Sequence, residues 1–167
     1  MAGFNIYAKN FMKKINKKLF KKVLGKFTTG ITVVSINYKE KKIGKTVNSF
    51  TALSLSPPLV LFSLDKNSSS LDKYKKSKLL GINILTTKQS NISVNFAKKN
   101  SKWDNIPNYN SELGTPIISN CIGNLECKNL KSFQEGDHII FICKVINASY
   151  NNNTNPLLYF DSKYLQK

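Results

Sequence analysis

Hydroxyl and amide side chains crowd one short stretch of this sequence, where Thr46, Asn48, Ser49 and Thr51 fall close together. In an extended segment alternation sends some of them to one sheet face, while backbone N–H groups stay available to a ligand's edge. Taken alone, they are also ordinary polar residues of a half-exposed strand. A second group, Asp65, Lys66, Ser68 and Ser69, forms a polar turn before an expected helix start. Unpaired amides and the helix dipole favour anions there, and the same residues also suit a simple N-cap. His138 is the single histidine and follows Asp137. The carboxylate can fix the imidazole tautomer or pair with a lysine, and a lone histidine is more often structural than catalytic.

Other combinations fail on chemistry. Gly44-Lys45-Thr46 looks like the end of a phosphate-binding loop, but the position five residues before Gly44 is Lys39, where the loop needs glycine. No G-x-G-x-x-G is present, so a nicotinamide nucleotide is not expected to sit in a Rossmann domain. Asp137 and His138 with Ser49 or Ser54 lack a nucleophile elbow, which makes a hydrolase triad weak. Cys121, Cys127 and Cys143 form no C-x-x-C pair, and His138 alone cannot complete a zinc site. They read as buried thiols in strands, suited to a reducing compartment, and no metal is expected.

The formal net charge is +17, and every basic residue is lysine. Such a balance suggests nucleic acid, membrane or an acidic substrate. Recognition of phosphates and bases usually draws on arginine's planar fork, however. Lysine enrichment together with abundant Asn and Ile reads as compositional drift, so neither a nucleic-acid nor a membrane partner is expected. The charge can still attract phosphorylated nucleotides. No apolar run approaches the ~20 residues of a membrane span, and Met1 to Lys18 lacks the apolar centre of a secretory signal. The expected location is the cytoplasm.

Positioning these groups falls to one domain over 19–167, preceded over 1–18 by a basic extension that includes the start of the first helix. Phe11, Ile15, Leu19, Val23 and Phe27 recur every four residues. That stripe predicts a helix packed on the core with a solvated lysine face, ending near Gly25 or Gly30. Strands are predicted at Ile31 to Ile36, Ile43 to Leu55, Leu59 to Leu64, Leu80 to Leu85 and Ile139 to Ile146, with a last short one at Pro156 to Phe160. Tyr38 to Lys42 reads as a turn, and Pro57-Pro58 as an interruption. Short helices are predicted at Ser69 to Tyr74, capped by the serine cluster, and at Gln89 to Ala97. Lys98 to Ser111 reads as an exposed loop, with Trp103 the exception. The order argues for a β-barrel with helical additions.

Five segments also resemble the flavin reductase-like family of FMN-binding split-barrel proteins. Lys45 to Leu61, K-T-V-N-S-F-T-A-L-S-L-S-P-P-L-V-L, is similar to that family's T-A-N-S-F-T-S-x-S-x-x-P-P-L-V. Phe27 to Val34 resembles F-A-T-G-V-T-V-V, and Asp65 to Ser69 the D-x-x-S-x turn. Gly136-Asp137-His138 and Pro156-Leu157-Leu158-Tyr159 match G-D-H and P-L-L-Y. The segments fall in the family's order from about Phe20 to the C-terminus. Val47 stands for a usual alanine, Lys45 for an apolar residue and Ser162 for a common glycine. Lys66 lies where the family often has arginine.

The resemblance implies a mainly-β fold, a Greek-key split β-barrel with peripheral helices, forming a homodimer with the flavin near the subunit interface. It implies an NAD(P)H-dependent flavin reductase, with FMN or FAD as flavin and NADH or NADPH as hydride donor, and a separate monooxygenase receiving reduced flavin. Thr46, Asn48, Ser49 and Thr51 would then meet the ring edge and ribityl chain. Lys66, Ser68 and Ser69 would hold the phosphate, with Asp65 a cofactor-binding residue of the same turn, Phe96 near that end and Tyr159 at the pocket border. His138 would orient the nicotinamide as the catalytic residue. The rivals are a flavoprotein with fixed FMN serving another acceptor, a flavin-binding protein without turnover, and a basic barrel that binds single-stranded nucleic acid.

Overall fold

The structure is a computed structural model and describes residues 15–152 and 154–165. Phe11, Met12 and most of the expected N-terminal extension lie outside the described residues. Helix α1 spans Lys17–Leu24, capped by the Asn16 side chain accepting from the Lys18 and Leu19 amides and ended at Gly25. It is followed by β1 (Thr29–Gly30), β2 (Thr32–Tyr38) and β3 (Lys41–Val47). The β2–β3 turn tightens to Lys39 and Glu40, both with positive φ, as a two-residue hairpin between right-twisted strands requires.

Next come β4 (Thr51–Ser54), β5 (Leu59–Asp65), α2 (Leu71–Lys76) and β6 (Leu79–Ile84). A 3-10 turn over Thr87–Gln89 leads into α3 (Ser90–Ala97). Two short strands, β7 (Asn108–Asn110) and β8 (Pro116–Ile118), precede a long hairpin of β9 (Gly123–Glu135) and β10 (His138–Tyr150). The last elements are β11 (Leu158–Phe160) and β12 (Lys163–Leu165).

Seven strands form one antiparallel sheet in the order β3-β2-β6-β9-β10-β5-β4. It is not closed by hydrogen bonds, yet Val47 of end strand β3 and Phe62 of β5, next to the other end, share one buried cluster, so the sheet curls around a common core. Alternation sets that core. Val60, Phe62 and Leu64 of β5 point inward with Ile139, Phe141 and Cys143 of β10. The Phe62 and Phe141 rings stack with centroids 4.9 Å apart. A second cluster beneath α3 gathers Val33, Leu85, Ile92, Phe96, Ile118 and Leu157.

The core also holds a paired polar centre. Buried Asn83 donates to the Val33 carbonyl and Ser35 Oγ, both at 2.9 Å, and accepts from the Ile118 amide at 2.8 Å and Asn124 Nδ2 at 2.9 Å. Each of its hydrogen-bonding directions is used, so the amide stitches β6 to β2, β8 and β9 instead of destabilising the interior.

Several expectations need correction. Ile43 to Leu55 is two strands, because the chain leaves the sheet between β3 and β4. Pro156 to Phe160 is not the final strand, since β12 pairs with β11. The Lys98 to Ser111 loop contains β7, and Trp103 packs its ring 4.9 Å from that of Phe96. Ser70, not the Ser69 expected, stands at the start of α2, and no side-chain cap bond forms there. The largest departure is α1. It buries none of its residues, and Leu19, Phe20, Val23 and Leu24 are all exposed, so it is not packed on this chain's core. Its end is tied down at 2.8 Å by the Asp161 amide donating to the Gly25 carbonyl, and by the Lys26–Asp161 ion pair at 2.9 Å.

Candidate active site

Two adjacent strands lay out the site. Across β5 and β10, Asp65 faces His138, Ser63 faces Ile140 and Leu61 faces Ile142. These positions alternate with the core residues, so they share the sheet's outer face. Thr51 of β4 extends the row beside Leu61, and Phe133 of β9 extends it beside Ile140. The outcome is a strip, half-buried and apolar along Leu61, Ile140 and Ile142 and exposed at Thr51 and Phe133, that ends at Asp65 and His138. Ser49 carries the ladder beyond β4, donating to the Ser63 carbonyl and accepting from its amide, each at 3.0 Å. Its hydroxyl is spent on backbone. Thr46 donates to the Ser93 carbonyl at 2.7 Å and ties β3 to α3. Asn48 and Thr51 are exposed.

At the end of that strip two turns join. The β9–β10 turn places Gly136 at φ 59°, a left-handed conformation that glycine adopts without strain. The Lys66 amide donates to the Asp137 carbonyl at 3.0 Å, linking this turn to the one after β5. Asp65 Oδ1 accepts from the Asn67 amide at 2.7 Å, and the Ser68 amide donates to the Asp65 carbonyl. His138 Nδ1 lies 2.7 Å from Asp137 Oδ1. That hydrogen bond, with the charge of the imidazole when protonated, holds the Asp137 carboxyl below its usual range. The pairing fixes which ring nitrogen is left to face outward.

A cavity of about 320 Å³ opens beside these turns and collects Asp65, Ser68 and Ser69 with Lys45 and Lys99. It adjoins a second of about 270 Å³, which shares Lys45, Ser69 and Lys99 and adds Lys42, Lys73 and Lys98. Two hydroxyls and two ammonium groups around one opening, with the Asp65 carboxylate beside them, are donors of the kind that suit an anion such as phosphate. Lys66 lies on the turn but not in the wall of either cavity. Helix α2 has only six residues and no side-chain cap, and the Leu71 amide is used by the Ser68 carbonyl, so helix-end amides are a smaller contributor than expected. Phe96 is fully buried against Gly44 and Trp103, and Tyr159 packs on Tyr164 between β11 and β12. Neither lines these cavities. A larger groove of about 570 Å³ at Thr86, Gln89 and Asn120 contains none of the candidate residues.

Sequence reasoning noted Lys45 only as a departure and missed Lys99. The signal available was the Lys98-Lys99 pair directly after a helix whose apolar face packs on the strand of Lys45. In a chain with 26 lysines that signal is faint.

Known proteins share this architecture and sequence. An NADH-dependent FMN reductase, SmoA of Agrobacterium fabrum, is 34% identical over 144 residues, covering 86% of this chain and 82% of its own. The reductase subunit HsaB of a flavin-dependent monooxygenase from Mycobacterium tuberculosis is 36% identical over 154 residues, covering 90% of this chain and 82% of its own. The NADH:FAD oxidoreductase SgcE6 of Streptomyces globisporus superposes with a TM-score of 0.86 at 28% identity, over 93% of this chain and 96% of its own. The family model for the flavin reductase like domain matches residues 24–167. Four of the five motif segments lie on the curled sheet or at its strand ends, and Pro156 to Tyr159 leads into a separate small sheet of β1, β11 and β12. With the family model matching residues 24–167, the chain belongs to the flavin reductase like domain family.

Proposed function

We propose that this protein is an NADH-dependent flavin reductase whose flavin, FMN or FAD, is a diffusible substrate and whose reduced product serves a separate monooxygenase. The observation that carries the reading is a lysine- and serine-lined cavity at the end of an apolar strip, with the single histidine beside it. A flavin has matching parts: an apolar tricyclic ring, a polar ribityl chain and a phosphate. The ring is accommodated along Leu61, Ile140 and Ile142, with Asn48 and Thr51 as polar groups at its border. Lys45, Lys99, Ser68 and Ser69 hold the phosphate. Bound flavin supplies a hydride acceptor, and the protein's task is to bring donor and acceptor into contact orientation.

Hydride transfer requires no base at carbon, so His138 acts by orienting the nicotinamide, with Asp137 setting its tautomer. Phe96 and Tyr159 contribute as packing behind the site. The HsaB relative, a monooxygenase reductase subunit, supports the oxygenase partner. NADPH is the less favoured donor, since SmoA and SgcE6 are both named for NADH.

The protein is a homodimer in this reading. Apolar side chains stand exposed on α1, on the sheet at Leu53, Leu130, Phe133 and Ile146, and at Leu55 in the β4–β5 turn, and these surfaces call for a cover. The cytoplasm suits three unpaired, buried thiols, with burial pushing Cys121 up to about 11 and Cys127 and Cys143 up to about 12. Among the described residues no helix is long and apolar enough to cross a membrane.

The test is oxidation of NADH, and separately NADPH, by purified protein with added FMN or FAD, alongside His138→Ala. The expected outcome is turnover far in excess of enzyme, with NADH preferred, and a loss of ~10–100-fold in kcat/KM for NADH in the variant. Flavin that binds but never turns over would remove the reductase reading.

A further inference from the structure

The second cavity has a composition that one phosphate does not explain. Five of its eleven lining residues are lysine, against 26 in the 167-residue chain, and no acidic residue lines it. Among the described residues Lys73, Lys98 and Lys99 enter no ion pair. Two of the five are already positioned: Lys42 Nζ donates to Asn108 Oδ1 at 2.6 Å, and Lys45 Nζ to the Ala97 carbonyl at 3.3 Å. Ammonium groups gathered around one concave opening repel one another and create a positive potential that an anion relieves.

We propose that the two joined cavities form a single groove for a flavin dinucleotide, so that FAD rather than FMN is the preferred substrate. This rests on the flavin-reductase reading. The inner cavity, with Lys45, Lys99, Ser68 and Ser69, takes the phosphate next to the ribityl chain. The acidic side chain there, Asp65, has one oxygen engaged by the Asn67 amide, and the two lysines offset its charge. A monophosphate ends in that cavity and leaves Lys42, Lys73 and Lys98 without an anionic partner among the described residues. The dinucleotide carries a second phosphate outward into the neighbouring cavity, where those three lysines meet it. Asn100 and Ser101 on the same wall offer amide and hydroxyl groups to the adenosine beyond. Lysine gives charge without the bidentate geometry of arginine, so the preference falls steeply with salt.

The experiment is calorimetric titration of the full chain with riboflavin, FMN and FAD at low and high salt, on wild type and on the double variant Lys73→Gln/Lys98→Gln. Both side chains are exposed and without hydrogen-bond partners, so the fold is not at stake. The wild type is expected to bind in the order FAD, FMN, riboflavin. In the double variant the FAD-to-FMN affinity ratio falls by about tenfold, the sum of two exposed charge contacts. Equal affinity for FMN and FAD in the wild type, or a ratio unchanged in the variant, overturns the proposal. NADH oxidation measured on the same samples separates the two readings. FAD preference without NADH oxidation sinks the reductase and leaves the groove standing. Turnover with no discrimination between flavins does the reverse.

Discussion

Helices α1 and α3 are both eight residues long, and they meet opposite conditions in this molecule. Helix α3 buries Ile92, Ser93 and Phe96, while α1 buries nothing and leaves Leu19, Phe20, Val23 and Leu24 in water. The difference does not lie in amphipathic pattern, since the apolar stripe of α1 is the cleaner of the two. It lies in what approaches the stripe. Gly44 lets β3 come so close to α3 that a Cβ there would stand 2.6 Å from the Phe96 ring, and Thr46 and Lys45 then bond to carbonyls along the helix. Nothing in the described chain comes up to α1 in that way. A sided helix therefore reports that a partner surface exists, without saying whose chain supplies it.

Three variants test that contrast, in order of the effect expected. Phe96→Ala removes a fully buried ring from beneath α3 and should cost ~3–5 kcal/mol in urea unfolding. A small cost would mean that α3 is as loosely held as α1. Gly44→Ala leaves the ring in place but forces strand and helix apart, for ~1–3 kcal/mol in the same assay. An unchanged midpoint would show that the close approach is not needed. Leu19→Ser/Val23→Ser alters the α1 stripe and should change the stability of an isolated protomer by no more than ~0.5 kcal/mol, because those side chains are already exposed. On the homodimer proposed above, the same pair should shift the molecular mass seen by light scattering from dimer toward monomer. If it costs as much as Phe96→Ala in a chain that is already monomeric, α1 is packed on its own protomer and the contrast collapses.

The same physics explains which parts of the molecule were legible in sequence. Strands β2, β5 and β6 are rich in apolar and β-branched residues because they cross the core, and the sequence reading locates them to within a residue or two. The outer half of β9, from Lys128 to Glu135, is exposed and mixed in polarity. It is held in the sheet by pairing with β10 and gives no local signal of its own. The gap between β3 and β4 is invisible for a related reason, since Asn48, Ser49 and Phe50 look no less extended than their neighbours. The motif segments pointed to the right strands, but not to what each hydroxyl does: Ser49 and Thr46 spend theirs on backbone. The lysines of the two cavities were hidden by abundance. Only the fold shows which five of them converge.

The bonds between β3 and α3 have a thermodynamic consequence for whatever enters the groove. Lys45 donates to the Ala97 carbonyl at the helix end before any ligand arrives, on a strand that Thr46 and the Phe96 ring fix to the same helix. An arriving anion meets a charge whose rotamer entropy has already been lost in folding, so at this contact the ordering cost falls on the ligand. A preorganised contact of that kind is read in how slowly the complex lets go, because encounter rates vary far less than residence times.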